Sequence, residues 1–253
     1  MAKYKLGIAL GGGGARGFAH LGVLQALHEK NIHPDIIAGT SAGSIVGAFS
    51  ADKRNPEEIL NLLKEKGFFT YTRFNMPKTG LVSLEGLEEL LEEDLSVDQI
   101  EDLPIPFIAA VTNLNKGKVE YLDKGPADQI IQASSAIPVL FSPVEMNGSL
   151  YADGGLMDNV PVEPLREICD KTIAVDISPI TGMDKIENLF QIALRTFQLS
   201  VGASVKDLRE RCDLVIAPEK CSEYDLLNSS QADELFEVGY NHTKHMDFSI
   251  LEK

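Results

Sequence analysis

The sequence lacks tryptophan and contains three cysteines among its 253 residues. These cysteines (Cys169, Cys212 and Cys221) are odd in number and have none of the close spacings that are typical of metal sites. Because Cys169 and Cys212 lie beside apolar stretches, we interpret them as buried thiols without a functional role. We therefore expect neither a metal nor a cofactor.

Basic residues are also few. Lysine and arginine total 23 against 38 acidic residues, which gives a net charge of −15. A nucleic-acid-binding protein needs a basic face, so this composition argues against nucleic acid as a partner. The same charge opposes docking on an anionic membrane through a polybasic patch. We expect any membrane contact to be apolar and transient, and the sequence leaves the oligomeric state open.

Long apolar runs are missing as well. No segment approaches the roughly 18 uninterrupted apolar residues of a membrane-spanning helix, and residues 1–5 (MAKYK) do not resemble a signal peptide. We expect a cytoplasmic protein. The chain also has no fixed-period repeat and no linker rich in proline, glycine or serine. We therefore predict one domain over residues 1–253.

Short apolar segments alternate with turns and amphipathic segments along the chain. Strands are predicted at residues 5–10, 36–38, 106–112, 118–122, 150–152, 172–177 and 213–217. Helices are predicted at residues 18–30, 44–51, 56–66, 84–94, 128–136 and about 184–209, and from about 230. The repeated order of strand, turn and helix in the first fifty residues indicates an α/β fold with a mainly parallel sheet covered by helices.

The motif Gly-x-Ser-x-Gly occurs at residues 39–43 (GTSAG), between a predicted strand and a predicted helix. In this context the motif is typical of a nucleophile on a sharp turn, because small flanking residues let the two elements approach. Ser41 would then lie at the positive end of the following helix dipole. The alternative is that Ser41 only caps that helix.

A second glycine motif occupies residues 11–17 (GGGGARG), again between a strand and a helix. Consecutive glycines let backbone N–H groups point at one anionic atom, as the oxyanion of ester hydrolysis requires. A nucleotide-binding P-loop is excluded because no Gly-Lys-Ser/Thr follows the glycines. A dinucleotide-binding fingerprint stays open, since Gly12, Gly14 and Gly17 match its spacing. However, Asp35 precedes the second strand, whereas the ribose-binding acid should follow it.

Asp153 is followed by two glycines at residues 153–155 (DGG), a sequence that is also common in ordinary turns. A serine nucleophile needs a base to accept its proton. Asp153 and the five histidines are the candidates, and His242 or His245 could complete an α/β-hydrolase triad. Against a triad, such enzymes place several strands before the nucleophile, and here two strands precede Ser41.

Taken together, the three motifs resemble those of the bacterial patatin-like phospholipases. That family combines Gly-Gly-Gly-x-Arg-Gly, Gly-x-Ser-x-Gly and Asp-Gly-Ala/Gly, and all three occur here in that order at residues 12–17, 39–43 and 153–155. Residues 133–141 (ASSAIPVLF) also resemble a segment that precedes the family's aspartate. The resemblance runs from about residue 6 to 177 and is weaker at residues 212–219 (CDLVIAPE).

The resemblance implies a three-layer α/β/α sandwich and a role for each motif. Ser41 would be the nucleophile and Asp153 its base, and N–H groups of Gly12, Gly13 and Gly14 would hold the oxyanion. Supporting roles are implied for Arg16, Gly17, Gly39, Gly43, Gly154 and Gly155. A carboxyl group is a weak base, so Asp153 should lie in a partly dry site that raises its pKa.

We therefore expect a serine hydrolase that cleaves the acyl esters of lipids, without a cofactor. The alternatives are a carboxylesterase or thioesterase with the same dyad, or a lipid- or protein-binding domain without activity; a dinucleotide-dependent oxidoreductase is more distant. Residues 68–76 (FFTYTRFNM) are candidates for an acyl groove, or else pack in the core. An apolar helix face with Leu189, Ile192, Ala193 and Phe197 could be core or a dimer contact.

Overall fold

The computed structural model describes residues 2–66, 84–182 and 185–251. The aromatic segment at residues 68–76 lies outside the described residues.

The described strands form one sheet in the order β5-β6-β3-β2-β1-β7-β8, with β4 also paired to β3. The pairs β1–β2, β1–β7, β2–β3 and β7–β8 are parallel, whereas β3–β4, β3–β6 and β5–β6 are antiparallel. The strands are β1 (Tyr4–Leu10), β2 (Ile36–Gly39), β3 (Phe107–Asn113), β4 (Lys118–Leu122), β5 (Val144–Met146), β6 (Ser149–Asp153), β7 (Cys169–Val175) and β8 (Leu214–Ile216).

Helices cover both faces of this sheet. They are α1 (Phe18–Glu29), α2 (Ala42–Ala51), α3 (Pro56–Lys66), α4 (Glu85–Asp94), α5 (Ala127–Ser134), α6 (Glu163–Arg166), α7 (Leu189–Ser204), α8 (Leu208–Arg211) and α9 (Ala232–Thr243). Ile8 and Leu10 of β1 belong to the larger core, with residues of α1, α2 and α9. Ala9, on the opposite face, packs with Val160 and Leu165 in a smaller core. This alternation is the two-residue period of a strand buried on both faces, and the predicted α/β fold with a mainly parallel sheet is confirmed.

One predicted helix is divided. The apolar pattern over residues 184–209 predicts a continuous helix, but α7 ends at Ser204 and α8 begins at Leu208. Arg211 Nη2 donates a hydrogen bond to the Ser204 carbonyl oxygen at 3.0 Å and so satisfies a group that the helix end leaves free. Both Val205 and Leu208 pack in the smaller core. The apolar pattern therefore continues across the break because Val205 and Leu208, on either side of two exposed residues, contact the same core.

Strand register places the motifs at one edge of the sheet. Parallel pairing aligns the carboxyl ends of β1 and β2, which lead directly into the glycine loop and into Ser41. Gly39 pairs with Ala109 of β3, and Asp153 of the antiparallel β6 pairs with Val111, two residues further along β3. Ser41 likewise lies two residues beyond Gly39. The register thus brings Ser41 and Asp153 to the same level of the sheet.

Candidate active site

Ser41 occupies a strained turn between β2 and α2. Its φ of 53° and ψ of −123° lie in a region that non-glycine residues rarely adopt. In this turn the backbone segments approach so closely that there is no room for side chains at the two glycines. A Cβ on Gly39 would lie 2.5 Å from the Gly43 carbonyl oxygen. A Cβ on Gly43 would lie 2.1 Å from the Leu10 carbonyl oxygen. The two glycines of the motif are therefore required by contact between backbones.

Ser134 stabilises this turn from the neighbouring helix. Its Oγ accepts a hydrogen bond from the Ser41 backbone N–H at 3.0 Å and donates one to the Ala110 carbonyl oxygen at 2.8 Å. The N–H group of Ser41 is therefore already paired. Ser134 lies in the segment at residues 133–141 that the sequence analysis noted, but its contact with Ser41 spans 93 residues and no local pattern indicates it.

Asp153 is fully buried at the end of β6. Burial raises the pKa of its carboxyl group to about 7, because removal from water penalises the charged form. The Ser41 side chain and the Gly155 N–H, which donates to Oδ1 at 2.8 Å, oppose this pKa shift. Oδ2 has no hydrogen bond of standard geometry with a described residue, although the Ser41 hydroxyl lies close enough to lower the pKa of the carboxyl group. The group has the pKa that a base acting near neutral pH needs.

The glycine loop lies directly against Ser41, since a Cβ on Gly12 would be 3.0 Å from Ser41 Cβ. The Gly12 N–H donates to the Asn159 carbonyl oxygen at 3.1 Å. The N–H groups of Gly13 and Gly14 donate to no described residue. Of the three oxyanion candidates, Gly13 and Gly14 thus have free donors, whereas the donor of Gly12 is occupied.

Two side chains hold the ends of this loop. His20 is fully buried, and burial lowers its pKa to about 4, so its ring is neutral. Its Nε2 donates to the Gly11 carbonyl oxygen at 2.7 Å. Arg16 donates from Nε and Nη2 to the Tyr224 carbonyl oxygen at 2.9 and 2.8 Å, which ties the loop to the chain that precedes α9. Arg16 therefore acts on the position of the loop.

The remaining motif glycines also meet close neighbours. A Cβ on Gly17 would lie 2.8 Å from Ala42 Cβ, and one on Gly154 would lie 2.3 Å from the Ala110 carbonyl oxygen. These contacts pack the glycine loop onto α2 and the turn after β6 onto β3. The sequence motifs are therefore sites of close approach between segments that are distant in the chain.

A partly buried ionic cluster contacts the Ser41 turn. Tyr121 donates its hydroxyl to Asp158 Oδ2 at 2.7 Å, and Arg211 lies 4.0 Å from Oδ1. Burial raises the pKa of Asp158 to about 6. Thr40 Oγ1 donates to the Asp158 carbonyl oxygen at 3.2 Å, so the cluster contacts the turn through this residue. Sequence reasoning missed it because its members come from four separate segments.

Ser41, Asp153 and the glycine loop line one cavity of about 590 Å³. The segment after β7 and the helix α7 add a mixed lining, with polar side chains such as Gln191, Arg195 and Gln198 beside apolar ones. The apolar side chains are Ile180, Leu194, Phe197 and Val201, and Ile137 contributes from the segment before β5. The cavity therefore combines a strained serine, a buried carboxyl group and backbone donors unpaired among the described residues with a partly apolar lining.

The residues that the alternative functions would need, a triad histidine and a ribose-binding acid, lie outside this cavity. None of the described residues that line this cavity is a histidine, and His242 lines a separate cavity together with Cys212. Asp35 accepts hydrogen bonds from the N–H groups of Lys5 and Leu6 at the start of β1, at the edge opposite the glycine loop. It is therefore remote from the position that a ribose-binding acid would occupy.

The thiols and acidic groups do not form a second reactive site near this cavity. All three cysteines are free, and Cys169 and Cys221 are buried while Cys212 is partly exposed. Burial raises the pKa of Cys169 and Cys212 to about 11, which disfavours the reactive thiolate. Among the described residues, Glu88, Glu92 and Asp128 lie close enough to share an ion, but they do not line the Ser41 cavity.

The helix face that sequence reasoning left open is divided between cavity and solvent. Phe197 lines the cavity, whereas Leu189 and Ile192 are exposed to solvent on α7. None of the helices in the described ranges has the length and apolar character needed to cross a bilayer.

Comparison with curated proteins identifies similar sequences of greater length. An uncharacterized NTE family protein of Mycobacterium bovis is 38% identical over 178 residues, which are 69% of this chain and 49% of that protein. Lysophospholipase NTE1 of Saccharomyces cerevisiae is 28% identical over 269 residues, covering 94% of this chain and 16% of that protein. The chain thus spans about half, or less, of these relatives.

Solved structures share the fold at low sequence identity. VipD from Legionella pneumophila matches 99% of this chain and 67% of its own, with a TM-score of 0.55 and 18% identity. The ExoU–SpcU complex of Pseudomonas aeruginosa matches 100% of this chain and 52% of its own, with a TM-score of 0.50 and 16% identity. The family model for patatin-like phospholipases matches residues 8–166, which include all three motifs. This protein therefore belongs to the patatin-like phospholipase family.

Proposed function

We propose that this protein hydrolyses acyl esters of lipids through a dyad of Ser41 and Asp153. The observation that carries the proposal is the strained Ser41 beside a buried carboxyl group whose pKa is raised to about 7. A serine hydroxyl is a poor nucleophile until a neighbouring base accepts its proton. A carboxyl group with this pKa is sufficiently basic to do so and still releases the proton near neutral pH.

The reaction proceeds in two steps. Ser41 Oγ attacks the ester carbonyl carbon while its proton passes to Asp153, and the carbonyl oxygen becomes an oxyanion. Collapse of this intermediate breaks the ester bond, and the leaving alcohol takes the proton from Asp153. Water then attacks the acyl-Ser41 ester and gives its proton to Asp153. The second collapse releases the fatty acid and returns the proton to Ser41.

A lipid substrate is supported by three observations. The cavity lining includes a group of apolar side chains, which an acyl chain could contact. The chain belongs to a family described as patatin-like phospholipases. The yeast relative is named a lysophospholipase. We therefore propose that a lysophospholipid or a phospholipid supplies the ester, and that a soluble ester or thioester is the alternative substrate.

The test is hydrolysis of p-nitrophenyl esters with acyl chains of increasing length, and of lysophosphatidylcholine. Wild type, Ser41→Ala and Asp153→Asn are compared, with Ser50→Ala as the matched control. Ser50 lies on the same helix as the Ser41 turn but bonds to the Val46 carbonyl oxygen within that helix. We expect Ser41→Ala and Asp153→Asn to lower kcat by a factor of about 10⁴ or more, as in other hydrolases that lose a catalytic residue.

Retention of wild-type turnover in Ser41→Ala would exclude the proposed nucleophile. If turnover depends on Ser41 but survives in Asp153→Asn, another group accepts the proton. Activity restricted to short esters, with no hydrolysis of lysophosphatidylcholine, would favour the carboxylesterase alternative.

A further inference from the structure

Asn159 lies between the glycine loop and the turn formed by Asp153 and the two glycines that follow it. Its side chain is buried, and a Cβ on Gly12 or Gly155 would lie 2.7 or 2.8 Å from its Oδ1. Asn159 therefore occupies the space that side chains at these two positions would otherwise fill. Its backbone N–H donates a hydrogen bond to Ser204 Oγ, at the end of α7, at 3.1 Å. The side chain is thus placed between the glycine loop and the turn after Asp153.

Asn159 binds both backbone groups of Gly12. Its carbonyl oxygen accepts the Gly12 N–H at 3.1 Å, and its Nδ2 donates to the Gly12 carbonyl oxygen at 3.3 Å. The two hydrogen bonds fix the orientation of Gly12, which has no side chain to orient it. They also remove the Gly12 N–H from the donors that are free to bind substrate.

Ser178 binds the same carbonyl oxygen from the other side. Its Oγ donates to the Gly12 oxygen at 2.8 Å, over a separation of 166 residues. Its own backbone N–H donates to Asp176 Oδ1 at 2.9 Å, so the turn after β7 is itself held. The Gly12 oxygen therefore accepts two hydrogen bonds from buried side chains.

The orientation of the next peptide group follows from its planarity. In a trans peptide the carbonyl oxygen of one residue and the N–H of the next point in opposite directions. Because the Gly12 oxygen points at Asn159 and Ser178, the Gly13 N–H points away from them. The Gly13 and Gly14 donors have no acceptor among the described residues, and both residues line the cavity with Ser41.

We propose that Asn159 and Ser178 are positioning residues for the oxyanion hole, and that Gly13 and Gly14, rather than Gly12, supply its N–H donors. This inference depends on the proposed hydrolysis at Ser41 and assigns how its transition state is held. Preorganised donors stabilise an oxyanion because they need no rearrangement when the charge forms. Loss of either side-chain donor frees the Gly12–Gly13 peptide group to rotate, and the Gly13 N–H is then no longer aimed at the oxyanion.

The test uses two variants that each remove one donor with little change in volume, Asn159→Asp and Ser178→Ala. Asn159→Asp also places a second carboxyl group near Asp153, whereas Ser178→Ala adds no charge and measures loss of the donor alone. Ser50→Ala is the matched control, because Ser50 Oγ also donates to a backbone carbonyl, that of Val46, but does not line the cavity. Removing a whole oxyanion donor lowers kcat by a factor of about 10²–10³. For loss of positioning alone we expect kcat to fall about 10- to 100-fold at an almost unchanged KM, with the control at wild-type values.

A second readout separates positioning from general damage to the structure. In a trifluoromethyl ketone with the same acyl chain, Ser41 Oγ adds to the carbonyl carbon, its proton passes to Asp153, and the ketone oxygen becomes an oxyanion. No bond then breaks, so the affinity reports how well the oxyanion is held. We expect the inhibition constant to rise in each variant by the same factor as kcat/KM falls.

The outcomes distinguish this inference from the proposed function. If wild type is active, Ser41→Ala is inactive, and both variants keep wild-type kcat and inhibitor affinity, the positioning role is wrong and the dyad stands. If wild type shows no hydrolysis that depends on Ser41, the proposed function fails and the positioning role fails with it. Should Asn159→Asp not fold, Ser178→Ala decides alone, because it removes a single hydroxyl group.

Discussion

The two walls of the Ser41 cavity are built in different ways. The inner wall, defined as Gly12–Gly14, Ser41 and Asp153, continues directly from the strands β1, β2 and β6. Ser41 is 6% exposed and Asp153 is 0% exposed. The outer wall, defined as Ile180 and the cavity-facing residues of α7, is less buried. Val201 is the single buried residue that the sixteen-residue α7 contributes.

The forces that hold the walls differ as well. The inner wall is fixed by backbone contacts and by side chains that bond to its backbone. The outer wall is tied to the rest of the molecule by a few side-chain hydrogen bonds, such as those from Ser200 to the Leu156 carbonyl oxygen and from Arg195 to the Thr181 carbonyl oxygen. An element with few buried contacts opens at a lower free energy. The groups that we propose for the chemistry therefore lie in the rigid part, and those that we propose to contact an acyl chain lie on a more easily displaced helix.

The largest expected difference between the walls is in how much a glycine-to-alanine substitution lowers the free energy of unfolding. A Cβ on Gly43, which packs the Ser41 turn, would lie 2.1 Å from the Leu10 carbonyl oxygen, and backbone cannot move aside cheaply. We expect Gly43→Ala to lower the free energy of unfolding by about 4 kcal/mol or more, or to prevent folding. Gly182, in the segment that leads to α7, has nothing within 4 Å of its added Cβ. Gly182→Ala should stay within about 0.5 kcal/mol of wild type.

Denaturant titration of both variants measures this difference. Equal stabilities of Gly43→Ala and Gly182→Ala would show that the turn relaxes and that the inner wall is not the rigid part.

The sequence motifs predict the residues of the inner wall better than they predict the side chains that hold this wall in place. Ser41 and Asp153 are recognisable because the local sequence must let the chain turn there. Asn159 and Ser178 act on Gly12 across 147 and 166 residues, and no local pattern carries that information. One signal was present for Ser178, which directly follows the strand predicted at residues 172–177. Carboxyl ends of parallel strands share an edge, so a polar residue there is a candidate for the site.

The next largest expected effect is a pH dependence of the free energy of unfolding, caused by burial of the Asp153 carboxyl group. Folding raises the pKa of this group from 3.8 to about 7, so folding favours its protonated form. The stabilising contribution is complete below pH 3.8 and is lost as pH rises to about 7. Asp153→Asn removes the buried charge, so we expect it to be more stable than wild type at pH 8 by up to about 4 kcal/mol, at about 1.4 kcal/mol per pKa unit. The difference should shrink towards pH 4.

Thermal or denaturant unfolding of both proteins between pH 4 and 8 measures this dependence. The exposed Asp123 provides the control, and Asp123→Asn should follow wild type across the range. In the same interval kcat/KM of wild type should fall on the acid side of pH 7, because protonated Asp153 accepts no proton. A stability difference between Asp153→Asn and wild type that does not change with pH would show that Asp153 remains ionised in the fold throughout.

The smallest expected effect concerns selectivity on the outer wall. Phe197 lines the cavity and packs with Ile137, whereas Ile192 on the same helix is 51% exposed. We expect Phe197→Ala to reduce the preference for a long over a short p-nitrophenyl ester about tenfold, since lost apolar contacts with substrate cost about 1–3 kcal/mol. Ile192→Ala should leave the preference unchanged. The loss should appear in KM, because Phe197 contacts no reacting atom and binds ground and transition states alike. An unchanged preference in Phe197→Ala would mean that the acyl chain lies elsewhere, and the outer wall would then have no part in selectivity.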